Sequence, residues 1–280
     1  YRSLSRDEPS TYDADLARAL TTLACRLGES GRPSDTFIAA QQAISVRRRL
    51  TQSDPGTQIH RLAADLSSLA PRLRTVGYVD EALDQAREAV NLYRNLDKDE
   101  PGSCTGELAG ALEVLAACRA GVGRRDEALE AAEEATALAA EHLATRGLGE
   151  LGWGKEASSL RERMAAVRAA LGDPWPDVSE AALASSAGAW LAPWGRRLAE
   201  GAPLSSVSML EVLRSLLPWP EAARLDELAP ERLEIPAGGT RPVDWAGAHP
   251  VLTLRVQQAF GWRDTPRLLG GRVPLVLHLT

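Results

Sequence analysis

The side chains best suited to hold a metal or carry a nucleophile in this 280-residue sequence are four histidines and three cysteines. His60, His142, His249 and His278 are scattered, and none stands at metal-ligand spacing from another His or from a Cys. Cys25, Cys104 and Cys118 form no C-x-x-C pair and are odd in number. That usage fits small buried thiols in a reducing cytoplasm rather than a disulfide framework. No G-x-S-x-G elbow is present. The expectation is a cytoplasmic chain with no catalytic set, no metal and no cofactor.

Two motifs match chemistry by letters alone. G-E-L-G-W-G-K-E at 149–156 fits G-x-x-x-x-G-K, but Glu156 stands where a phosphate loop needs Ser or Thr for Mg²⁺. An alanine-rich helical stretch precedes it in place of a buried strand. D-E-A-L at 80–83 and 126–129 has the letters of a helicase acidic box, yet it recurs in register with a repeat and reads as a helix start.

A third set could bind nucleic acid. Arg241, Arg255, Arg263, Arg267 and Arg272 lie close in sequence, interleaved with Trp245, Phe260 and Trp262. Arginine for phosphate and an aromatic face for a base is the combination single-stranded RNA or DNA requires. Equally, the tryptophans could be core and the arginines a solvated face or partners of Glu234, Asp244 and Asp264. Residues 148–280 hold 14 basic and 15 acidic side chains, and the whole chain has a net charge of -6, so no broad cationic surface supports binding. No stretch nears the roughly 18 apolar residues of a membrane span, and no membrane partner is expected.

The elements that must position these residues begin with a repeat. At a shift of 46 residues the first half aligns with itself: Y-R-S-L at 1–4 with R-R-R-L at 47–50 and Y-R-N-L at 93–96. Pro9, Pro55 and Pro101 coincide, as do Leu16, Leu62 and Leu108, Leu20, Leu66 and Leu112, and Leu23, Leu69 and Leu115. Gly31, Gly77 and Gly123 follow, then the alanines at 40, 86 and 132 and at 43, 89 and 135. Each unit reads as a helix with an apolar leucine face, a glycine turn, and a second helix whose small residues admit close packing. Pro71, inside the first helix of the second unit, should kink or shorten it. G-Y-V-D-E-A-L-D-Q-A-R-E-A at 77–89 and G-R-R-D-E-A-L-E-A-A-E-E-A at 123–135 resemble the turn and second helix of tetratricopeptide repeats. The resemblance implies a stack of hairpins that binds a protein or peptide along a groove. Inward positions would include Arg18, Thr21, Ser67, Arg74 and Glu113, a mixed set without a concentrated basic clamp.

Composition changes after residue 147. All four tyrosines and all three cysteines precede residue 120, whereas all seven tryptophans follow residue 150. An amphipathic helix is predicted at 156–171, with Ala157, Leu160, Met164, Val167 and Leu171 on one face, as a cap for the repeat stack. Helices at 179–199 and 204–217 follow, the first capped by Asp177 or Ser179. Two short strands should flank A-G-G-T at 237–240. V-L-T-L-R-V-Q-Q-A-F-G at 251–261 suits strand or helix, and R-V-P-L-V-L-H-L at 272–279 a strand. G-D-P-W-P-D-V-S at 172–179, W-L-A-P-W at 190–194, L-L-P-W at 216–219 and R-V-Q-Q-A-F-G-W at 255–262 resemble the C-terminal region of bacterial HrpB-type ATP-dependent RNA helicases. L-D-E-L-A-P at 225–230, T-P-R at 265–267 and G-G-R-V-P-L-V-L-H-L at 270–279 continue the resemblance in order. The family usually has Glu where Gln258 stands, and a basic stretch beyond the last strand, so the domain reads as truncated at its C-terminus. No motif of the helicase motor is present.

The expected fold class is therefore mainly α: an α-α superhelical tetratricopeptide-like array over 1–147, in three units, followed by a smaller α+β domain over 148–280. The expected function is a non-catalytic protein-interaction scaffold joined to a helicase-accessory module. The alternative is a nucleic-acid-binding accessory fragment of an ATP-dependent RNA helicase.

Overall fold

The chain is seen here in a computed structural model that describes residues 9–149, 151–195, 197 and 206–280. It is mainly helical, with small sheets confined to the C-terminal third. Its packing divides into two compact units. The helical unit comprises the described residues up to Thr145 and those within Ala187–Ser206. The mixed unit comprises Arg146–Ser186 and Val207–Thr280.

Among the described residues, six long helices make the hairpins of the helical unit: α1 (Pro9–Glu29), α2 (Pro33–Ser53), α3 (Pro55–Thr75), α4 (Val79–Asp99), α5 (Thr105–Gly121) and α6 (Arg125–Arg146). The first residues of α2, α4 and α6 stand at the sequence period of 46, and α3 repeats α1 at both ends. Pro33 and Pro55 open their helices, where a missing N–H costs nothing. Between the paired helices, Gly31, Gly77 and Gly123 take φ of 65°, 97° and 79°. That left-handed conformation lets the residue after each glycine donate back to the carbonyl five residues earlier, from Arg32 to Leu27, Tyr78 to Leu73 and Arg124 to Arg119. The first hairpin lacks the D-E-A-L signature but keeps the turn. α5 starts later than the period demands because Pro101 and Gly102 form a turn, in which the Gly102 N–H donates to Asp97 Oδ1 at 3.0 Å.

The leucine faces meet in one core. Leu66, Leu69, Leu73 and Leu112 are fully buried, and Ala86, Ala89, Ala132 and Ala135 of the second helices reach 0% exposure. Pro71 does not shorten its helix: α3 continues through it to Thr75. The Thr75 hydroxyl donates to the Pro71 carbonyl at 2.8 Å, giving the last turn a side-chain bond. D-E-A-L does mark helix starts, although Tyr78 rather than Asp80 occupies the cap, so Asp80 and Glu81 act through the dipole of the first turn.

Two acids of the buried core titrate late. Burial pushes the Cys118 thiol from 9.0 up to about 11, against the opposing pull of Arg74. Burial, then the charge of Glu107, pushes Tyr93 from 10.0 up to about 12. Unfolding frees both groups to ionise at their ordinary values, so their contribution to stability is complete below pH 9 and is lost as pH rises through 11 to 12. We expect the denaturation midpoint to fall from about pH 9 upward, and Cys118→Ala to flatten the onset; a midpoint unchanged between pH 8 and 11 would contradict this.

In the mixed unit, α7 (Lys155–Leu171) buries Ala157, Leu160, Met164 and Val167 of the predicted face and leaves its fifth member, Leu171, half-buried. It packs against α10 (Met209–Leu216) and α11 (Leu225–Leu228). The helix predicted at 179–199 is divided: α8 (Glu180–Ser185) ends at Ser186 and α9 (Ala187–Leu191) passes into a 3-10 turn at Ala192–Trp194. Ser179 caps α8 by accepting from the Ala182 N–H at 3.2 Å. Asp177 supports it from outside, accepting from the Ser179 N–H at 2.8 Å, and that bond holds its carboxyl below the ordinary value.

Among the described residues, three two-stranded sheets complete this unit. β1 (Arg232–Glu234) and β2 (Thr240–Pro242) are antiparallel around Gly238 and Gly239, as expected. The ambiguous segment at 251–261 is both things in turn, β3 (Val251–Leu254) and then a 3-10 turn at Val256–Ala259. The single strand expected at 272–279 is a correction. β5 (Val273–Pro274) pairs antiparallel with β4 (Arg267–Leu268), whereas β6 (Val276–Leu279) pairs parallel with β3. Pro274 has no N–H to continue a ladder, and Leu275 is drawn into the core at 1% exposure, so the strand changes partner between them. No described helix is long and apolar enough to cross a membrane.

Candidate functional site

The mixed unit is held together by arginines that reach from α7 to the loops around it. Arg163, 3% exposed, donates through Nε to the Ala229 carbonyl at 2.6 Å and through a terminal nitrogen to Glu231 at 2.9 Å. Its other terminal nitrogen pairs with Asp226. Arg161 donates to the Val178 carbonyl at 2.9 Å, and Arg168 to the Trp175 carbonyl at 2.8 Å. These bonds fix the G-D-P-W-P loop and the approach to β1.

Against that frame the expected nucleic-acid contact residues separate. Arg272 donates to the Ala170 carbonyl at 2.7 Å and so satisfies the C-terminus of α7. Arg267 donates to the carbonyls of Gly271 and Arg272 at 2.6 and 2.9 Å, closing the β4–β5 turn. Both guanidiniums are engaged in holding backbone. Arg241, on β2, and Arg255, before the 3-10 turn, are exposed and make no ion pair among the described residues, as is Arg263. Trp262 is half-buried. Trp245 is core, with its indole N–H donating to the Pro230 carbonyl at 3.0 Å.

Among the described residues, two large aromatic rings face solvent, Phe260 of the expected set and Trp219 outside it. Phe260 is 69% exposed and Trp219 83% exposed. Phe260 closes the turn that Arg255 opens, and the Arg255 N–H is capped by Gln258 Oε1 at 3.1 Å. Gly261 follows at φ 116°, and a Cβ there would meet Pro236 Cβ at 2.7 Å. Only glycine fits this approach, which sets the turn against the tip of the β1–β2 hairpin. Trp219 lies between Pro218 and Pro220, a pattern that breaks helix and keeps the ring off the core. Each ring offers a π-face on which a base could stack, with arginine nearby in sequence for phosphate.

The groove positions also separate. Arg18 and Thr21 line a pocket of about 290 Å³ in the helical unit, with Asp15, Arg47, Arg61 and Asp65. Arg18 pairs with Asp15 at 2.5 Å, and the Thr21 hydroxyl donates to Asp65 at 3.3 Å. Arg47, buried at 5%, donates through Nε to Asp65 at 2.6 Å and through a terminal nitrogen to Gln58 at 3.3 Å. Ser67, Arg74 and Glu113 do not line this pocket; Ser67 Oγ and Arg74 Nε are buried without a hydrogen-bond partner. No local motif marks Arg47, Arg61 or Asp65 as pocket residues.

The phosphate-loop letters sit in an irregular stretch that runs into α7 at Lys155, with α6 ahead of it and no strand among the described residues there. Among the described residues no group of three or more His, Cys, Asp or Glu side chains is placed to hold a metal ion.

Residues 190–280 match the family model described as ATP-dependent helicase C-terminal. Over 136 residues the chain is 33% identical to the ATP-dependent RNA helicase HrpB of Escherichia coli (strain K12), covering 48% of this chain and 17% of that protein. Two solved E. coli structures match similarly. A DEAH/RHA helicase HrpB is 31% identical with a TM-score of 0.45, covering 52% of this chain and 19% of its own. A DExH-box NTPase HrpB is 30% identical with a TM-score of 0.47, covering 54% and 18%. This chain thus spans less than a fifth of the length of the relatives it matches, and the match leaves their motor domains out. In its C-terminal half, the chain is similar to the accessory C-terminal region of HrpB-type helicases.

Proposed function

We propose that this chain is a non-catalytic accessory protein of two domains, with residues 148–280 contacting single-stranded RNA or DNA and residues 1–147 binding a protein partner. The observation that carries the first part is the pairing of helicase similarity with an exposed aromatic surface. Phe260 and Trp219 stand in solvent within the matched region, with Arg241, Arg255 and Arg263 unpaired by acids. Large rings left in water cost hydrophobic energy that a stacked base would recover.

The test is a titration of labelled single-stranded RNA into the full chain at several salt concentrations. Phe260→Ala should weaken binding by about 5- to 100-fold, the value of one stacked base. Arg255→Ala should lower both the affinity and its dependence on salt, by about 0.7 in the log–log slope. No binding at low ionic strength would dismiss the reading.

The second reading is a tetratricopeptide-like scaffold, and a separate observation favours it. Helix bounds and glycine turns recur at 46 residues through three hairpins, and the pocket around Arg18, Arg47 and Arg61 opens between the first two. Peptide capture by the full chain, lost on Arg61→Glu and retained on Phe260→Ala, would distinguish this activity from the first.

A further inference from the structure

The first helices of the three hairpins carry a second face, distinct from the one that meets their own partner helix. In α3 it runs through Asp65, Leu69, Arg72 and Val76, and in α5 through Ala111, Leu115 and Cys118 to Val122, each 46 residues on. Apart from the Arg72 side chain, which keeps 43% exposure, these residues are buried or half-buried, because each face lies against the preceding hairpin. Leu69 is 1% and Leu115 4% exposed. The equivalent residues of α1 are Ala19, Leu23, Arg26 and Ser30, and all four are exposed, Leu23 at 45%.

The polar members of this face are those the interface already uses. Arg72 reaches Glu29 of the preceding hairpin at 3.7 Å, and Arg26 is the arginine at the same place in the period. Across the first junction Arg47 pairs with Asp65. One period on, those two places hold Tyr93 and Ala111, both buried, a large ring and a small side chain in place of the ion pair. One period back they hold Tyr1 and Ala19, the same two residue types. Tyr1 opens Y-R-S-L, whose counterparts R-R-R-L and Y-R-N-L lie near the ends of α2 and α4. The structure of residues 1–8 lies outside the described residues, so for them this is a statement of sequence register alone.

We infer that the Ala19–Leu23–Arg26–Ser30 face of α1 is an inter-repeat interface, and that its occupant is the second helix of a further hairpin of the same 46-residue type. Continuity with the two interfaces already present identifies the occupant: α1 carries the central leucine of both, the arginine of the first junction at Arg26, and at Ala19 the small residue of the second. The inference rests on repeat packing and is independent of whether either unit binds peptide or nucleic acid.

Placing a copy of residues 55–92 directly ahead of Tyr1 rebuilds such a hairpin in register, with Y-R-S-L completing its second helix. In the 280-residue chain, Leu23→Asp should move the thermal midpoint by less than about 1 °C, as at an exposed site. In the extended chain the same change should lower it by roughly 6 °C or more, since a charge would then be forced into a packed interface. Ile38→Asp, at a place where the later hairpins carry Asp84 and Glu130, should be mild in both. Equal effects of Leu23→Asp in the two proteins would overturn the inference. So would a dimer of the 280-residue chain that Leu23→Asp dissolves, because the occupant would then be a second copy.

Discussion

Replacing Arg163 by alanine is expected to destabilise the mixed unit by roughly 2–5 kcal/mol, the range for unpairing a buried carbonyl while emptying a packed side-chain site. The side chain enters from α7 at 3% exposure and carries three bonds at once. Its two acids are exposed, Asp226 at 88% and Glu231 at 64%, and water can rehydrate them when the guanidinium is gone. The Ala229 carbonyl has no such recourse, because Ala229 is fully buried. The loss is therefore mainly an unpaired carbonyl and a cavity under the chain that leads into β1. Arg163→Lys should recover only part, since an ammonium cannot present the planar fork that spans three acceptors. Trp153, Trp175, Trp219, Trp245 and Trp262 all lie in this unit, so urea unfolding followed by tryptophan fluorescence reads the effect directly. A loss below about 1 kcal/mol would show that the network adds orientation rather than stability.

Asp65→Ala is expected to be the most damaging single polar change in the helical unit, by about 3 kcal/mol. It strips the carboxylate from Arg47, which is 5% exposed and belongs to the preceding hairpin. Gln58 and the helix backbone cannot neutralise the charge left behind, and Thr21 loses its acceptor as well. Asp65→Asn keeps an acceptor and should cost less. Replacing the pair together, Arg47→Met with Asp65→Leu, should restore most of the stability, because an apolar pair needs no desolvation. That is the arrangement the next junction already approximates with Tyr93 and Ala111. Circular dichroism at 222 nm across a denaturant series would rank the four proteins. If the double replacement is worse than Asp65→Ala, the ion pair contributes more than it costs.

The helical unit was legible because its rules are local and repeated. Leucines at 62, 66, 69 and 73 define an apolar face wherever the helix lies, and a glycine at 77 permits the left-handed residue that reverses the chain. The 46-residue period then predicts successive helix starts from one another. Short strands around Gly238 and Gly239 were legible for the same reason. Among the proposed contact residues, sequence found the right chemistry and could not sort it. Arg255 and Arg272 are both exposed and both precede a valine, yet only Arg272 caps α7, from 102 residues away. Residue type alone does not separate the aromatics either: Trp245 is core and Phe260 is exposed. Nothing in the letters around Arg163 shows that it alone among its neighbours is buried with three acceptors.

What the sequence by itself determined, then, is which segments are helices, where they reverse, and which faces are apolar. Those properties follow from backbone conformation and side-chain periodicity, which act over a few residues. Only the tertiary structure decided that Leu69 and Leu115 are covered while Leu23 is not, that Arg47 meets Asp65, and that 272–279 divides between two partner strands. Burial and pairing are relations between segments far apart in the chain, and identical residues acquire opposite roles according to what packs against them.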